Sequence, residues 1–340
     1  MAVDPPSNRA STTGPIVVTG ANGQLGRALL GRLARDGHDD VRALVRSERA
    51  RDTIYAQSIS PAPDVRIVEY TSPREMEAAL RGARAVVHLV GIIKETPDTR
   101  YVAAHEQTCH ALALAASRAG IERIVYLSIL GAAPDSDNDC LASKGRAETL
   151  LLDDRVATTV LRVPMVLGGD DPASASLRHQ AQAPSLRLVG GGRTRQQPID
   201  ARDVVNAVIA ACNVESGRDL ALDACGPESL SHRTLVLRAG RLYDNTPRIT
   251  SLTLGLARLG VSVLERVMPR PPVTRAMFDI LQHDDQIDPE TFKKALGIEL
   301  LPLDQTLADH VGPGSGPDVP AVAAESESNP QPSSERPKPQ

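Results

Sequence analysis

The residues best suited to chemistry in this chain are glycines spaced to hold a phosphate, in the segment Thr19-Gly20-Ala21-Asn22-Gly23-Gln24-Leu25-Gly26. Glycine allows positive φ and close approach of the backbone to a ligand, and a following helix offers free N–H groups to an anion. The spacing is GxxGxxG rather than the GxGxxG dinucleotide fingerprint, so the flanks decide its meaning. A β-branched run at 16–18 and apolar residues at helical spacing after the turn predict a strand–turn–helix unit that cradles a dinucleotide pyrophosphate.

Arg46 follows the second predicted strand, 41–45, where dinucleotide-binding sheets usually carry an acidic residue for the adenosine ribose. No Asp or Glu stands at that strand end, and a guanidinium can pair bidentately with a 2′-phosphate. Arg46 therefore favours NADP(H) over NAD(H) as the cofactor. The alternative is a solvated surface arginine.

Strand and helix patterns alternate after the glycine motif, which predicts right-handed crossovers and a parallel sheet covered on both faces. Strands are expected at 16–18, 41–45, 65–70, 85–89, 124–127 and 160–163, and helices at 72–81, 101–119, 203–212 and 231–243. We therefore predict an α/β fold, with a Rossmann-type doubly wound parallel sheet and a smaller C-terminal substrate lobe.

The domain organisation follows from composition. Residues 15–165 are expected to form the NAD(P)-binding Rossmann domain, with its sheet completed by later segments, and 166–311 a smaller substrate or interaction lobe. Residues 1–14 and 312–340 are rich in Pro and Ser and are expected to be a disordered arm and tail.

Composition excludes several classes of function. The net charge of −4 and an aromatic content of 2% argue against nucleic acid as a partner. The cysteines show no CxxC pair and the histidines no ligand spacing, so no metal site and no disulfide framework are expected. The sequence contains no apolar run of about 18 residues and no signal peptide, and we expect a cytoplasmic protein.

One later segment, 251–268, is mostly apolar, and its only charged residues are Arg258, Glu265 and Arg266. It is predicted to be helical, and two interpretations of it stay open. It is either a buried or cleft-lining helix, or an interfacial helix that touches a membrane surface or a larger protein complex.

Several motifs together resemble the extended, atypical short-chain dehydrogenase/reductase superfamily: the glycine turn, Arg46, Ser128 after the fifth predicted strand, and Ser143-Lys144 at the start of a predicted helix. A narrower likeness is carried by the segments at 89–95, 126–132, 161–164 and 197–204. These resemble the nucleotide-binding accessory subunit of respiratory complex I and its bacterial homologues. The likeness covers about residues 15–310.

The resemblance implies a set of cofactor-binding residues around the carboxyl ends of the strands. These are Gly20, Asn22, Gly23, Gln24, Leu25, Gly26, Arg46, Leu89, Val90, Gly91, Lys144, Pro164 and Val166. In active members of the superfamily, a tyrosine four residues before the lysine transfers the proton. The lysine lowers the pKa of that tyrosine and holds the nicotinamide ribose, and a serine orients the carbonyl.

Mapping that catalytic set onto this chain gives Ser128 and Lys144, but Cys140 stands at the tyrosine position. The thiol is shorter than a phenol by about one ring, and a general acid must come within about 2.6–3.2 Å of the atom it protonates. Three interpretations stay open: a lost catalytic residue, a thiolate kept reactive by Lys144, or proton transfer by water or another residue. The nearest other phenols are Tyr101 and Tyr126.

Three functions are therefore compatible with the sequence. The chain could hold NADP(H) without turnover and serve a respiratory complex, quinone metabolism or a regulatory role. It could be an active NADPH-dependent reductase or epimerase that uses Ser128, Lys144 and a substitute proton donor. It could be an NADPH-sensing or assembly protein that docks through 251–268, with a peripheral location at the inner face of the membrane. The expected partners are the dinucleotide and a small-molecule substrate or quinone.

Overall fold

The alternating pattern folds into a seven-stranded parallel sheet in the computed structural model, which describes residues 14–214, 218–268 and 270–315. The predicted arm and tail lie almost wholly outside the described residues. The strands, in chain order, are β1 (Ile16–Thr19), β2 (Val41–Val45), β3 (Asp64–Ile67), β4 (Ala85–His88), β5 (Arg123–Ile129), β6 (Ala157–Val163), β7 (Val166–Leu167), β8 (Ser185–Val189), β9 (Arg195–Gln196), β10 (Ile199–Asp200), β11 (Leu220–Asp223), β12 (Leu230–Ser231) and β13 (Arg248–Leu252).

The helices cover both faces of this sheet and build the lobe beyond it. They are α1 (Gln24–Arg35), α2 (Glu48–Tyr55), α3 (Pro73–Leu80), a π-helical segment (Val102–Gln107), α4 (Thr108–Ala119), α5 (Asp139–Leu152), α6 (Pro172–Gln182), α7 (Ala201–Cys212), α8 (His232–Gly240) with a 3₁₀ turn (Arg241–Tyr243), α9 (Leu254–Val267), α10 (Arg275–Leu281), α11 (Pro289–Leu296) and α12 (Leu303–His310).

The order of the large sheet is β11-β6-β5-β4-β1-β2-β3, with every pair parallel. The chain runs outward from β1 to β3 and then crosses back to β4 on the other side of β1. The strand order therefore reverses between β1 and β4, which is where sheets of this kind bind their ligands. The predicted Rossmann-type doubly wound sheet is confirmed, and β11 completes it from a later part of the chain.

Two apolar layers fix the sheet between its helices. One core joins the sheet to α1, α2, α7 and α11, and the other joins it to α3, α4 and α5. A third core, around Leu177, Leu235 and Leu307, holds α6, α8 and α12 together in the lobe. Since each buried leucine contributes about 1.5–3 kcal/mol, these layers hold the carboxyl edge of the sheet as a rigid platform.

Several predicted boundaries differ from the structure for local reasons. The third strand ends at Ile67 rather than Tyr70, and the Tyr70 hydroxyl bonds Leu44 and Gly20 beyond its end. The predicted helix at 101–119 begins as a π-helix, and the Thr108 hydroxyl donates to the Ala104 carbonyl at 2.8 Å at the junction with α4. Such π-helical turns occur often beside functional sites.

The segment 251–268 forms α9, and the interpretation of it as a buried or cleft-lining helix is wrong. Only Ala257 and Val261 of this helix are buried, where they pack on Phe278 of α10. Most of its other apolar side chains face solvent. No helix in the described ranges is long and apolar enough to cross a bilayer.

Candidate functional site

The glycine turn joins β1 to α1 at the switch point of the sheet. Gly20 has φ +68°, and a Cβ on it would lie 3.2 Å from the Leu89 carbonyl carbon and 3.3 Å from the Val90 nitrogen. A Cβ on Gly26 would come within 2.6 Å of the Gly20 carbonyl oxygen. The turn is therefore closed by backbone on both sides, and only glycine fits at these two positions.

The first turn of α1 presents its amides at the mouth of this cradle. Gly23 is the N-cap and has no side chain to satisfy them, and the first intrahelical bond runs from the Arg27 N–H to the Gly23 carbonyl at 2.9 Å. The N–H groups of Gln24, Leu25 and Gly26 precede that bond, while Asn22 is exposed on the turn. With the positive end of a 12-residue helix behind them, these amides fit a pyrophosphate.

Tyr70 is a part of the site that the sequence analysis missed. Its hydroxyl donates to the Leu44 carbonyl at 2.5 Å and accepts from the Gly20 N–H at 2.9 Å. Burial raises the pKa of Tyr70 to about 12, so the hydroxyl stays protonated. Its two hydrogen bonds link the end of β2 to the glycine turn. In the sequence it looked like an ordinary strand residue.

Arg46 lies exposed at the carboxyl end of β2, beside the glycine turn. Hydrogen bonds from Thr71, with a smaller contribution from Arg46, hold the pKa of Glu69 below its usual value. The guanidinium therefore lies near a carboxylate at the outer edge of the cradle. A phosphate at this edge would meet a cation whose charge Glu69 partly balances.

Lys144 lies under the loop that follows β4. Its ammonium donates to the Leu127 carbonyl at 3.0 Å and sits 4.5 Å from the centroid of the Tyr126 ring. A Cβ on Gly91 would stand 2.8 Å from the Lys144 Nζ, so the loop closes over the amine because residue 91 lacks a side chain. Burial lowers the pKa of Lys144 to about 8, which leaves most of the amine charged at neutral pH.

Cys140 lies in the first turn of α5, capped by Asn138, and its Sγ is 3.6 Å from the Ile92 carbonyl oxygen. A helix N-terminus and a nearby lysine both favour a thiolate. Burial outweighs them here and raises the pKa of Cys140 to about 11. The thiol therefore stays protonated near neutral pH, which disfavours the reactive-thiolate interpretation.

The two phenols near this site are both buried. The Tyr101 hydroxyl donates to the Ile93 carbonyl at 3.1 Å, and burial raises the pKa of Tyr101 above its usual value. Tyr126 is fully buried in the core under α4 and α5, and burial likewise raises its pKa. Tyr101 lies nearer the cleft, because its acceptor Ile93 lines the cavity described below.

Ser128 is turned toward α5. Its hydroxyl donates to the Glu148 carboxylate at 2.5 Å, and the same carboxylate accepts from the Arg162 Nη2 at 2.7 Å. The structure thus brings Lys144 and Cys140 to the loop after β4, and it binds Ser128 to a buried ion pair one turn further along α5. No sequence motif indicates this pair, although Glu148 follows Lys144 by four residues and so shares its helix face.

Two buried histidines fill structural roles beside these residues. His88 lies 2.8 Å from the Thr19 hydroxyl through its Nδ1, and His105 lies 3.0 Å from the Ile92 carbonyl oxygen through its Nε2. Burial lowers the pKa of each to about 3, so both are neutral. Within the described part of the chain, no group of three or more His, Cys, Asp and Glu is placed to hold a metal ion.

A cavity of about 530 Å³ lies between the carboxyl edge of the sheet and the lobe. Two predicted cofactor-binding residues, Pro164 and Val166, are among its lining residues, and Gly192 lines the lobe side. Its walls are mostly apolar. Its polar groups include Asp171 and His232. The Gln24 amide lies 3.5 Å from the Asp171 carboxylate and so links the glycine turn to this cleft. Such a cavity fits a small-molecule ligand.

Known proteins match this architecture. The chain is 27% identical to NADH dehydrogenase (ubiquinone) 1 alpha subcomplex subunit 9, a mitochondrial protein of Arabidopsis thaliana, over 74% of this chain and 63% of that protein. It is 28% identical to a ceramide reductase of Caulobacter vibrioides, over 58% of this chain and 61% of that protein. The chain therefore spans less than two thirds of the length of either relative.

Among solved structures, the triphenylmethane reductase of a Citrobacter species shares the fold with a TM-score of 0.68, covering 87% of this chain and 99% of that one at 17% identity. The predicted resemblance to NAD(P)-binding proteins of the atypical short-chain dehydrogenase/reductase type and to the complex I subunit is confirmed by the relatives and by the family match given next. A family described as NAD(P)H-binding matches residues 20–214, which is more than half of the chain. This protein therefore belongs to the NAD(P)H-binding family.

Proposed function

We propose that this chain holds NADP(H) at the glycine turn without turning it over, in service of a respiratory complex or of quinone metabolism. One observation carries the proposal: the cradle around Gly20 and Gly26 is complete, while the position of the catalytic tyrosine holds a buried, protonated Cys140. The likeness to a complex I subunit supports a role in such a complex. The protein would work in the cytoplasm at the inner face of the membrane.

Each part of the proposed cofactor site has a separate task. The amides at the start of α1 bind the pyrophosphate, Arg46 pairs with the 2′-phosphate, and Lys144 holds the nicotinamide ribose. Leu89, Val90 and Gly91 form the wall on the β4 side, and Pro164 and Val166 form the opposite wall. When bound, the nicotinamide ring supplies hydride chemistry. This chain lacks a proton donor for that chemistry at the tyrosine position, because the Cys140 thiol bonds the Ile92 carbonyl.

Arg46→Ala should weaken NADPH binding selectively. Loss of one charged hydrogen-bonding partner of the 2′-phosphate is expected to cost about 1.5–3 kcal/mol, whereas NADH, which lacks that phosphate, should bind almost as before. Calorimetric titration of both nucleotides measures the difference. Arg49→Ala, which removes an exposed arginine from the next helix, is the matched control and should change neither affinity. Equal losses for NADPH and NADH in Arg46→Ala would remove the case for NADP(H).

A second candidate function is an active NADPH-dependent reductase or epimerase, which would use Ser128, Lys144 and a substitute proton donor. The specific observation in its favour is the cavity of about 530 Å³ between the carboxyl edge of the sheet and the lobe, large enough for a substrate. The likeness to a ceramide reductase points the same way. Tyr101 is the phenol nearer this cavity, but its hydroxyl is bonded to Ile93.

Turnover separates the two candidates. NADPH should copurify with the protein, and the loaded protein should oxidise it no faster than buffer when offered quinones, ketones and nucleotide sugars. Absorbance at the reduced nicotinamide band follows the reaction, and mass spectrometry identifies the released ligand. Substrate-dependent oxidation that disappears in Lys144→Met, in a variant that still binds NADPH, would replace the first candidate with the second.

A further inference from the structure

Helix α9 carries an exposed apolar stripe on the side that faces away from the protein. Leu256, Leu259, Val263 and Val267 follow one another at helical spacing, with exposed fractions of 61%, 61%, 53% and 74%. The opposite side of the helix is already used, because Ala257 packs with α10. A surface helix normally has a single apolar side, and that side faces the core of the protein. The second stripe has no function within the described fold, and exposed patches of this kind mark interaction sites.

Arginines are concentrated in the part of the sequence that contains this stripe. The range 248–275 contains five arginines and a single acidic residue, Glu265, in a chain whose net charge is −4. Arg266 is exposed beside the stripe. Three of the other arginines form exposed ion pairs, Arg258 with Asp279, Arg270 with Asp98 and Arg275 with Glu265. Exposed pairs of this kind contribute only about 0–1 kcal/mol and can exchange their partners for phosphate groups.

Helix α9 lies beside elements that line the cavity. Helix α10 packs on α9 through Phe278 and contributes Leu281 to the cavity lining. On the other side, Lys94 donates to the Pro271 carbonyl at 3.0 Å, which ties the loop of Ile93 to the connection between α9 and α10. Ile93 and Leu281 are both exposed and both line the cavity. Exposed apolar side chains therefore extend from the cavity to the surface near α9.

We propose that the stripe of α9 docks on an anionic phospholipid bilayer, with the helix lying in the plane of the interface. The apolar side chains enter the boundary of the acyl chains, and the surrounding arginines meet lipid phosphates. The charge pattern selects this occupant, because a locally basic rim on an acidic protein is attracted to an anionic surface. In this orientation the mouth of the cavity lies next to the bilayer.

Vesicle flotation of the full chain tests this proposal. The protein should float with vesicles of phosphatidylcholine mixed with phosphatidylglycerol, and about tenfold less with phosphatidylcholine alone. Leu259→Ser/Val263→Ser should lower the partition onto the anionic vesicles by at least about tenfold, because two apolar anchors are lost. The matched control is Tyr55→Ser/Ile67→Ser, which makes the same kind of change at apolar residues exposed elsewhere, and it should float like the wild type.

The charge contribution is tested separately. Arg266→Glu should reduce binding to the anionic vesicles and leave binding to neutral vesicles unchanged. Thermal unfolding without cofactor shows whether each variant is folded, so the result stands whatever the protein does with NADPH.

Three results would overturn the proposal. The first is wild-type protein that floats with neither kind of vesicle. The second is a control variant that loses as much vesicle binding as Leu259→Ser/Val263→Ser. The third is wild-type protein that does not bind vesicles but forms a dimer in light scattering, or a stable complex with another protein. Loss of that dimer or complex in Leu259→Ser/Val263→Ser would assign the stripe to a protein partner.

Discussion

Gly26→Ala should remove most of the affinity for NADPH. The new Cβ would lie 2.6 Å from the Gly20 carbonyl oxygen and 2.7 Å from the Ala21 Cα, and both are backbone atoms that cannot swing away. The turn must therefore open, which displaces the amides of α1 from the pyrophosphate. Overpacking of this severity costs about 3 kcal/mol, and if that cost falls on the bound conformation it lowers the affinity roughly a hundredfold.

Gly31→Ala is the matched control for this change. Gly31 lies in the same helix, and the nearest atom to its added Cβ is the end of the Arg35 side chain at 3.6 Å. This variant should bind NADPH like the wild type and gain up to about 1 kcal/mol of stability, because alanine is the better helix former. Calorimetric titration and urea unfolding measure both effects. Unchanged NADPH affinity in Gly26→Ala would mean that the cofactor does not use this turn.

The fold follows closely from local patterns, and it was predictable for that reason. β-Branched runs separated by helical periodicity can satisfy their backbone and bury their apolar faces only as parallel strands with crossover helices. The glycine turn was predictable even without the GxGxxG spacing, because the strand before it and the helix after it leave few other roles for Gly20 and Gly26. Sequence could not reveal that the Tyr70 hydroxyl bonds the Gly20 amide, because that contact spans 50 residues.

The direction in which a single side chain points was harder to predict from the sequence than the fold. Ser128 shares a strand face with Tyr126, and that face is covered by α5, so the Ser128 hydroxyl meets Glu148. Strand alternation gives the shared face, but the partner across it depends on helix packing. Helix α9 illustrates the same limit. Apolar composition predicts burial only when another element covers the helix, and the described fold covers just one side of α9.

Loss of Glu148 alone from its ion pair with Arg162 should strongly destabilise the protein. Glu148 is almost fully buried, and its carboxylate accepts from the Arg162 Nε at 3.0 Å and Nη2 at 2.7 Å as well as from Ser128. Glu148→Leu would leave the guanidinium with only the weaker contact to Asp223 at 3.3 Å, and the Ser128 hydroxyl without its acceptor. Removing one member of a fully buried pair typically costs about 3–5 kcal/mol in the free energy of unfolding, and we expect a smaller loss here because Arg162 is 27% exposed and keeps Asp223.

Two further variants isolate the cause of that loss. Glu148→Leu/Arg162→Leu should be more stable than Glu148→Leu alone, because the damage comes from the stranded charge rather than from loss of attraction. Glu48→Leu, in an exposed pair with Arg51, should change stability by less than about 1 kcal/mol. Urea unfolding measures all three. If the double variant were no more stable than Glu148→Leu, the pair would stabilise the protein through its shape and packing. The unpaired charge of Arg162 would then not be the cause of the loss. Recovery in the double variant would instead show that the ion pair itself brings little net gain in stability.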